Sequence, residues 1–426
     1  MNLLHANDRP GAHPPSWYAE TAEAPGPYAE LKGTHRADVA VVGGGFTGLS
    51  AALSLARAGA SVALVEAQRV GFGASGRNGG QVGFGLRVAQ RALEREAGED
   101  AARALWDLAV AAKDKVRALV RDHAPDAGWR PGIVHAERRA ADALAREAEH
   151  LARRYGHETE LLDGEALRAL IGSDRYEAGA LDPGAGHVHP LRLAFGMARA
   201  AGAAGAAIFE RSEAHRVSPG LVLTGRGRIE CEAVILACNG YLGTLDGHVA
   251  ARVMPINSFV VATEPLGGRM PLARPVAVHD GAFVVSYWRP SEDGRILFGG
   301  GESYGYRFPR DIAALVRPTL EAVYPRLRGV PITHAWGGTL AITRTRMPLF
   351  ARPAPGVLSA SGYSGHGVAL ACLAGKILAE AARGPSERFD AFASLAPPPF
   401  PGGGAFRTPL LALAMTWYAM RDRLGR

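Results

Sequence analysis

The sequence predicts a chain of two fold classes, in which a discontinuous α/β domain surrounds an α+β region with a mixed sheet. Three observations predict this. Residues 38–66 read DVAVVGGGFTGLSAALSLARAGASVALVE: an apolar run, a glycine turn, an Ala- and Leu-rich helix and a second apolar run. Residues 251–335 hold several short strand-like runs and one helix. Residues 335–385 return to an α/β pattern. The first segment is therefore a Rossmann-like βαβ unit that a later segment helps to complete.

The glycine turn carries a dinucleotide fingerprint. Gly43, Gly45 and Gly48 have the spacing G-x-G-x-x-G between a strand and a helix. Gly43 allows the tight turn, Gly45 lets the backbone approach a pyrophosphate, and Gly48 lets the helix pack closely on the strands. The helix N-terminus offers free N–H groups to phosphates. Glu66 ends the second strand, where a carboxylate can accept hydrogen bonds from a ribose. The alternative is a βαβ unit with no ligand.

A second G-x-G-x-x-G match lies at residues 71–76. It follows no full strand and has no acidic residue at the required distance, so by itself it indicates no dinucleotide site.

Composition narrows the class of protein. The 426 residues are 47% hydrophobic with a net charge of +7, which predicts a sizeable core. Arginine supplies nearly all the positive charge, and no compact basic block interleaved with aromatic residues appears, which argues against a nucleic-acid partner. The three cysteines form no C-x-x-C motif, so we expect buried, inert thiols in a reducing, cytoplasmic compartment. Neither a signal peptide nor a membrane-spanning run is apparent.

Periodicity along the chain predicts the remaining elements. Trp17 and Tyr18 are expected to anchor a proline-rich start on the body, and Asp163 is the expected N-cap of a short helix. Predicted helices lie at 86–124, 137–155, 162–171, 191–203, 312–324 and 368–382, and predicted strands at 129–134, 206–210, 233–237, 258–263, 283–288, 295–299 and 356–360. Predicted domains are an N-terminal extension at 1–36, a dinucleotide-binding domain at 37–90, 158–250 and 335–390, a substrate domain at 91–157 and 251–334, and a C-terminal tail at 391–426.

Four stretches together resemble a known family: VVGGGFTGLSAALSLARAGASVALVEA, GFGASGRNGGQ, VILACNGY and GYSGHGVAL. In this order and spacing they resemble the D-amino-acid-oxidase-like flavoproteins, and among these the γ-glutamylputrescine oxidoreductase group. The resemblance implies a Rossmann-like FAD-binding domain with a mixed-sheet substrate domain, and FAD rather than NAD. The sequence supports FAD independently, because no second strand-bound fingerprint exists for NAD(P)H.

The resemblance also implies the cofactor contacts. They are Gly43, Gly45, Phe46, Thr47, Gly48, Glu66, Ala67, Gly73, Ala74, Ser75, Arg77, Asn78, Gly79, Gly80, Gln81, Val217, Cys238, Asn239, Gly240, Gly362, Tyr363, Ser364, Gly365, His366, Gly367 and Val368. The glycine-rich loop at 71–85 contains neither Cys nor His, so we expect non-covalent FAD. No metal site is expected.

Three residues are predicted at the reaction centre. His366 starts a helix after a glycine turn, where it contacts the flavin or merely caps the helix. Tyr287 and Arg289 belong to an aromatic-aromatic-Arg run that forms either a substrate wall or sheet packing. For Trp336, which precedes the last predicted strand, we expect a role in packing rather than at the reaction centre. The sarcosine-oxidase branch has a carboxylate-binding lysine at the position of Ala369, which disfavours a simple α-amino-acid substrate.

The resemblance, together with these residues, predicts an FAD-dependent oxidase of a primary or secondary amine, γ-glutamylputrescine or a related compound, which yields an imine, an aldehyde and H₂O₂. One alternative is a dehydrogenase that passes electrons to a quinone or carrier instead of O₂. An alternative of another class is a non-catalytic dinucleotide-binding protein.

The C-terminal tail carries one more prediction. A Pro- and Gly-rich linker at 395–404 precedes a short helical pattern, Leu410–Met420, that is followed by arginines. Docking on the chain's own body, a homodimer contact and an interfacial membrane helix all fit this pattern. We favour docking or dimerisation, because so short a helix needs a partner in water.

Overall fold

A computed structural model describes residues 2–401, so the predicted helix at Leu410–Met420 lies outside the described residues. The strands are β1 (Gly33–Arg36), β2 (Val39–Val42), β3 (Val62–Val65), β4 (Gln81–Val82), β5 (Arg130–Glu137), β6 (Glu160–Asp163), β7 (Ala178–His187), β8 (Ala207–Phe209), β9 (Ala214–Ser218), β10 (Leu221–Thr224), β11 (Gly227–Glu230), β12 (Ala233–Leu236), β13 (Met254–Thr263), β14 (Ala277–Asp280), β15 (Tyr287–Pro290), β16 (Ile296–Ser303), β17 (Ile332–Ile342), β18 (Leu349–Ala354) and β19 (Val357–Ser361). The helices are α1 (Trp17–Thr21), α2 (Phe46–Arg57), α3 (Gln90–Ala97), α4 (Glu99–His123), α5 (Ala141–Tyr155), α6 (Gly164–Ile171), α7 (Pro190–Ala203), α8 (Gly247–Arg252), α9 (Ile312–Val323), α10 (Gly367–Arg383) and α11 (Glu387–Ala393).

The βαβ unit forms the centre of a six-stranded sheet with the order β18-β19-β12-β2-β3-β8. All neighbours are parallel except β18 and β19. Side chains alternate between the two faces of β2: Val39 and Val41 face a layer of helices, while Ala40 and Val42 face a small four-stranded sheet. Burial on both faces explains why this strand is apolar throughout.

A second, larger sheet has the order β17-β13-β16-β15-β14-β5-β7-β4, with β6 paired to β7. The two sheets account for the α/β and α+β parts, which confirms the predicted fold class. The pairing places β7 in the larger sheet, although the sequence assigned residues 158–250 to the dinucleotide-binding domain. Helix α4, assigned to the substrate domain, packs against α7 and α10 beside the six-stranded sheet. The assignment of a strand or helix to a domain depends on pairing between distant segments, which cannot be predicted from local periodicity.

The N-terminal extension is more regular than its proline content suggests. It contains α1 and β1, and β1 pairs in parallel with β11 of the four-stranded sheet. Trp17 and Tyr18 are 2% and 0% exposed, so their predicted role as anchors is confirmed.

Several element boundaries differ from the prediction. The predicted helix at 86–124 is two helices, because Gly98 between them has φ = 86°. The predicted strand at 283–288 begins only at Tyr287. The predicted cap is confirmed, since the Asp163 carboxylate accepts a hydrogen bond from the Ala166 N–H.

The three cysteines are free thiols, and Cys372 is buried as predicted. The prediction of burial is wrong for Cys231 and Cys238, which are only partly buried. Burial nevertheless raises the pKa of Cys238 and of Cys372 to about 12, so both thiols stay protonated at neutral pH. None of the helices within residues 2–401 has the length and apolar character required to span a bilayer.

Two buried histidines couple stability to pH. Burial, reinforced by Arg289, lowers the pKa of His187 to about 3 and that of His189 to about 2. In the unfolded chain each titrates near 6.5. Between pH 6.5 and 3 the unfolded state therefore binds more protons, so these residues contribute stability above pH 6.5 that is lost as the pH falls.

We expect the urea midpoint to decrease between pH 7 and pH 5, with each histidine contributing a slope of up to about 1.4 kcal/mol per pH unit. His189→Asn removes one titrating group while retaining a good N-cap for α7, so the slope should become smaller. The exposed His215→Asn serves as the control. An unchanged slope in His189→Asn would contradict the assignment.

Candidate active site

A cavity of about 950 Å³ lies between the two large sheets. The carboxyl ends of β2 and β3 contribute Val42 and Val65 to its wall, and Ala237 follows β12 beside them. In parallel α/β sheets this edge is where ligands bind.

The four motif stretches converge on this cavity. The predicted residues that line it are Gly43, Gly45, Phe46, Thr47, Glu66, Ala67, Gly73, Ala74, Ser75, Arg77, Asn78, Gly79, Gly80, Gln81, Cys238, Asn239, Tyr287, Tyr363, Ser364, Gly365, His366, Gly367 and Val368. The predicted residues that do not line it are Gly48, Val217, Gly240, Gly362 and Arg289.

Gly48 and Gly362 do not line the cavity, but their backbone conformation and close packing position the residues that do. A Cβ on Gly48 would overlap the Gly43 carbonyl oxygen, as expected for close packing of α2 on β2. Gly362 has φ = 74°, and its N–H donates to the Asn239 side-chain oxygen at 3.0 Å. These positions therefore shape the cavity without facing it.

The N-terminus of α2 opens into the cavity. Its N-cap residue Gly45 has no side chain to satisfy the first N–H groups. The Phe46 N–H donates to Ser75 Oγ at 2.9 Å, and a Cβ on Gly45 would stand only 2.8 Å from the same oxygen. The glycine at position 45 therefore makes room for the loop carrying Ser75. The remaining free N–H groups suit an anion such as a pyrophosphate.

Glu66 is positioned by backbone donors at the end of β3. Its carboxylate accepts from the Gly44 N–H at 2.7 Å and from the Gln68 N–H at 2.9 Å. Burial raises the pKa of Glu66 to about 7, although these hydrogen bonds oppose the shift. Each oxygen keeps a lone pair for a further donor, which fits a ribose hydroxyl.

Hydrogen bonds within the protein fix the polar residues of the glycine-rich loop. The Asn78 amide donates to the carbonyls of Ala74 and Ser75, and its oxygen accepts from the Gly80 N–H. Gln81 donates to the Val278 carbonyl at 2.8 Å. These side chains hold the loop in shape at the cavity wall.

Arg77 braces the same loop. It forms an ion pair with Asp8 at 2.9 Å and donates to the carbonyls of Phe72 and Gly337. The Trp336 indole donates to the Arg77 carbonyl and is 1% exposed, which confirms the preference for packing at Trp336.

Arg289 does not reach the cavity, in contrast to the predicted substrate wall. Its guanidinium donates to the carbonyls of Gly79 and Val188 and to the Tyr18 hydroxyl, and the residue is 5% exposed. The loop passes over β15 at this point, since a Cβ on Gly80 would lie 3.2 Å from the guanidinium. Arg289 therefore positions the loop from below.

Val217 is also displaced from its predicted place. It lies on β9, pairs with Val222, and is partly buried against the core of the four-stranded sheet. The sequence could not indicate this, because an apolar residue on a short strand fits either a ligand contact or a core.

The N-terminus of α10 forms another side of the cavity. His366 precedes this helix without a side-chain capping bond, so the interpretation as a helix cap is not supported. Burial, together with the charge of Arg87, lowers the pKa of His366 to about 4, so the imidazole is neutral at pH 7. Its Nδ1 has no partner among residues 2–401. Ala369, which occupies the position of the lysine in the sarcosine-oxidase branch, is buried at the cavity wall.

Tyr287 forms part of the wall on the side of the larger sheet. Its hydroxyl lies 3.3 Å from Ser258 Oγ, and burial raises its pKa to about 12, so the hydroxyl remains a hydrogen-bond donor. The rings of His135 and His279 lie nearby, tilted by 31° with centroids 4.7 Å apart. Burial, reinforced by His135, His366 and Arg87, lowers the pKa of His279 well below its ordinary value.

Sequence analysis missed several residues of this chamber, namely Arg87, His135, His279, Glu302 and Arg346. Arg87 follows the glycine-rich loop directly, a proximity that could have indicated a role. The others lie on strands or turns whose pairing brings them together only in the folded chain.

The fold and cavity define a class of protein that binds a dinucleotide at the carboxyl edge of a parallel sheet, with a substrate chamber against a second sheet. The uncapped N-terminus of α2 and the lone pairs of Glu66 fit the pyrophosphate and a ribose of FAD. The family described as FAD dependent oxidoreductase (DAO) matches residues 38–381, and the chain belongs to this family. Its cofactor is therefore FAD.

Individual relatives extend over nearly the whole chain. A probable oxidoreductase OrdL of Rhizobium meliloti (strain 1021) is 44% identical over 418 residues, 96% of this chain and 97% of the relative. The gamma-glutamylputrescine oxidoreductase of Escherichia coli (strain K12) is 40% identical over 422 residues, 97% and 99% of the two chains. Glycine oxidase from Geobacillus kaustophilus has the same fold, with a TM-score of 0.71 at 24% identity over 83% of this chain and 96% of that one.

Proposed function

We propose that this protein oxidises a primary or secondary amine, γ-glutamylputrescine or a close relative, to an imine that hydrolyses to an aldehyde, with O₂ as the electron acceptor and H₂O₂ as the product. The observation that carries the proposal is the charge around the substrate chamber. His366 and His279, in the wall beside the start of α10, are both neutral at pH 7. Such surroundings disfavour an ammonium ion and favour the free amine.

A free amine is the form that can lose hydride. Bound FAD supplies the chemistry of accepting that hydride. The residues of the chain bind and orient the substrate: Tyr287 offers an aromatic face and a hydroxyl donor, and the free N–H groups at the start of α10 favour negative charge beside them. The identity of 40% to a gamma-glutamylputrescine oxidoreductase supports the choice of amine.

The decisive experiment is an anaerobic titration of the FAD-loaded protein with a panel of amines. We expect γ-glutamylputrescine to bleach the flavin absorbance, and peroxide to form when air is admitted. Bleaching followed by reduction of a dye but not of O₂ would identify a dehydrogenase instead. Absence of bleaching by every amine would contradict the proposal.

Substrate preference follows from Ala369, which cannot bind a carboxylate as a lysine would. A charge-assisted hydrogen bond contributes about 1.5–3 kcal/mol, so its absence should lower kcat/KM for a small amino acid at least about tenfold. We therefore expect higher kcat/KM for γ-glutamylputrescine than for sarcosine or glycine in peroxide-coupled assays. A higher value for sarcosine would show that another residue replaces the lysine.

A further inference from the structure

Two arginines line the substrate chamber without a counter-ion in contact. Arg87 follows the glycine-rich loop, and Arg346 lies in the turn between β17 and β18. Within residues 2–401 neither guanidinium makes a hydrogen bond or an ion pair. Arg77 of the same cavity, by comparison, is paired with Asp8. Guanidinium groups in this state are available to an anion from outside the chain.

A single carboxylate accompanies the two arginines. Glu302 lies on β16 opposite Ser258 of β13, lines the cavity and accepts a hydrogen bond from the Tyr304 hydroxyl at 2.8 Å. It lies beyond 4 Å from both guanidinium groups but near enough for its charge to act on each of them. Burial raises the pKa of Glu302, whereas Tyr304 and the two arginines oppose the shift. The group therefore brings two guanidinium cations and one carboxyl group to the same part of the chamber.

The backbone at Arg346 supports a functional role. Arg346 has φ = 63°, in the left-handed region that non-glycine residues rarely adopt. The Arg346 N–H donates to the Thr343 carbonyl, and the Thr343 hydroxyl donates to the Met347 carbonyl, so the turn is fixed on both sides. A strained conformation that the surroundings maintain is often found at binding sites.

We propose that Arg87, Arg346 and Glu302 form a subsite for the α-amino-acid head group of the substrate, with the carboxylate on the two arginines and the α-ammonium on Glu302. This inference rests on the proposed function, because it takes the amine that is oxidised to be at the other end of the same molecule. The subsite explains how a carboxylate-bearing amine binds although Ala369 replaces the lysine. A simple diamine lacks the carboxylate that the arginines attract, and a phosphate would be repelled by Glu302.

The test uses γ-glutamylbutylamide, which has the head group but no terminal amine, in calorimetric titrations of the FAD-loaded full chain. Arg346→Gly removes the cation and suits the left-handed backbone, and Arg87→Ala removes the second cation. We expect each to raise Kd at least about tenfold, since charge-assisted hydrogen bonds are lost. The matched control is Arg344→Ala: Arg344 lies in the same turn, donates to the Pro399 carbonyl and does not line the cavity, so its Kd should stay within about twofold.

Turnover gives a second measurement. The ratio of kcat/KM for γ-glutamylputrescine to that for putrescine should fall at least about tenfold in Arg346→Gly and Arg87→Ala. In Glu302→Gln the probe should also bind more weakly, because the partner of the α-ammonium loses its charge.

The outcomes separate the two proposals. If both arginine variants bind the probe as the wild type does, the subsite is refuted. Loss of FAD from these variants would assign the arginines to the cofactor and also refute it. A wild type that oxidises γ-glutamylputrescine without binding the probe contradicts the subsite alone. A wild type that binds the probe but oxidises no amine contradicts the proposed function and supports the subsite.

Discussion

Glu66→Arg is expected to purify without FAD. The Glu66 carboxylate orients the glycine turn through the Gly44 N–H and accepts from the Gln68 N–H. A Cβ on Gly44 would already lie 3.1 Å from this side chain, so a longer residue has no room. Arginine would leave both donors without an acceptor and place a cation where a ribose hydroxyl donates. Hydrogen bonds to a charged group contribute about 1.5–3 kcal/mol each, so FAD affinity should fall more than about 100-fold.

The measurement is the ratio of flavin absorbance to protein, with circular dichroism to show that the variant is folded. Glu66→Gln retains the shape and one acceptor oxygen and should lose less affinity. Glu232→Arg introduces the same charge at an exposed residue beside β12 and should retain full FAD. A folded Glu66→Arg protein with a full complement of FAD would show that this carboxylate does not hold the cofactor.

Arg289→Met should destabilise the protein and weaken FAD binding without changing substrate preference. Removing the guanidinium leaves the partly buried carbonyl of Gly79, the buried carbonyl of Val188 and the buried Tyr18 hydroxyl without their donor. Unsatisfied buried groups cost about 1–3 kcal/mol each, so the free energy of unfolding should fall by about 3 kcal/mol or more. Because Gly79 and Gly80 belong to the loop at the cavity wall, FAD affinity should decrease about tenfold.

This variant distinguishes a positioning residue from a substrate wall. Urea unfolding and FAD titration should show the two losses, while the ratio of kcat/KM between γ-glutamylputrescine and putrescine should stay within about twofold of wild type, since Arg289 does not reach the cavity. Arg274→Met is the control for loss of charge, because Arg274 is exposed in the segment that precedes β14 of the same sheet. If Arg289→Met kept normal stability but changed the ratio of the two kcat/KM values, Arg289 would form part of the substrate wall, as the sequence predicted.

Tyr287 and Arg289 illustrate how far a pattern predicts a site. They point to the same face of β15, because side chains alternate along a strand. Two residues nevertheless advance the chain by about 7 Å, which is enough to move from the cavity wall to a position beneath the loop. A Cβ on Gly79 would lie 2.7 Å from the Tyr287 ring, which shows how closely the loop follows this strand. The sequence shows that Tyr287 and Arg289 belong to one short run of residues, but it does not show where the glycine-rich loop crosses the strand that they form.

The chamber residues show the same limit over longer separations. Arg87, Glu302 and Arg346 come from three segments, and no spacing rule connects them. The pairing of β13 with β16 and with β17 brings the segments of Glu302 and Arg346 together, and the glycine-rich loop that precedes Arg87 reaches the cavity from the other end of the same sheet. The domain bounds stay a prediction for the same reason: β7 pairs with the larger sheet, yet its sequence does not differ in kind from the neighbouring α/β segments.

The βαβ unit, its glycine turn and the cofactor class could be predicted from the residues alone, because these depend on contacts between residues close in the chain. The overlap of a Cβ at Gly48 with the Gly43 carbonyl is such a contact, and so is the acid at the end of the second strand. Which polar side chains line the chamber and which hold the glycine-rich loop in place became clear only from the folded chain. That choice depends on the direction of side chains where distant segments cross. Arg289 donates to the Gly79 carbonyl from beneath the loop, whereas the Arg346 guanidinium makes no hydrogen bond or ion pair within residues 2–401.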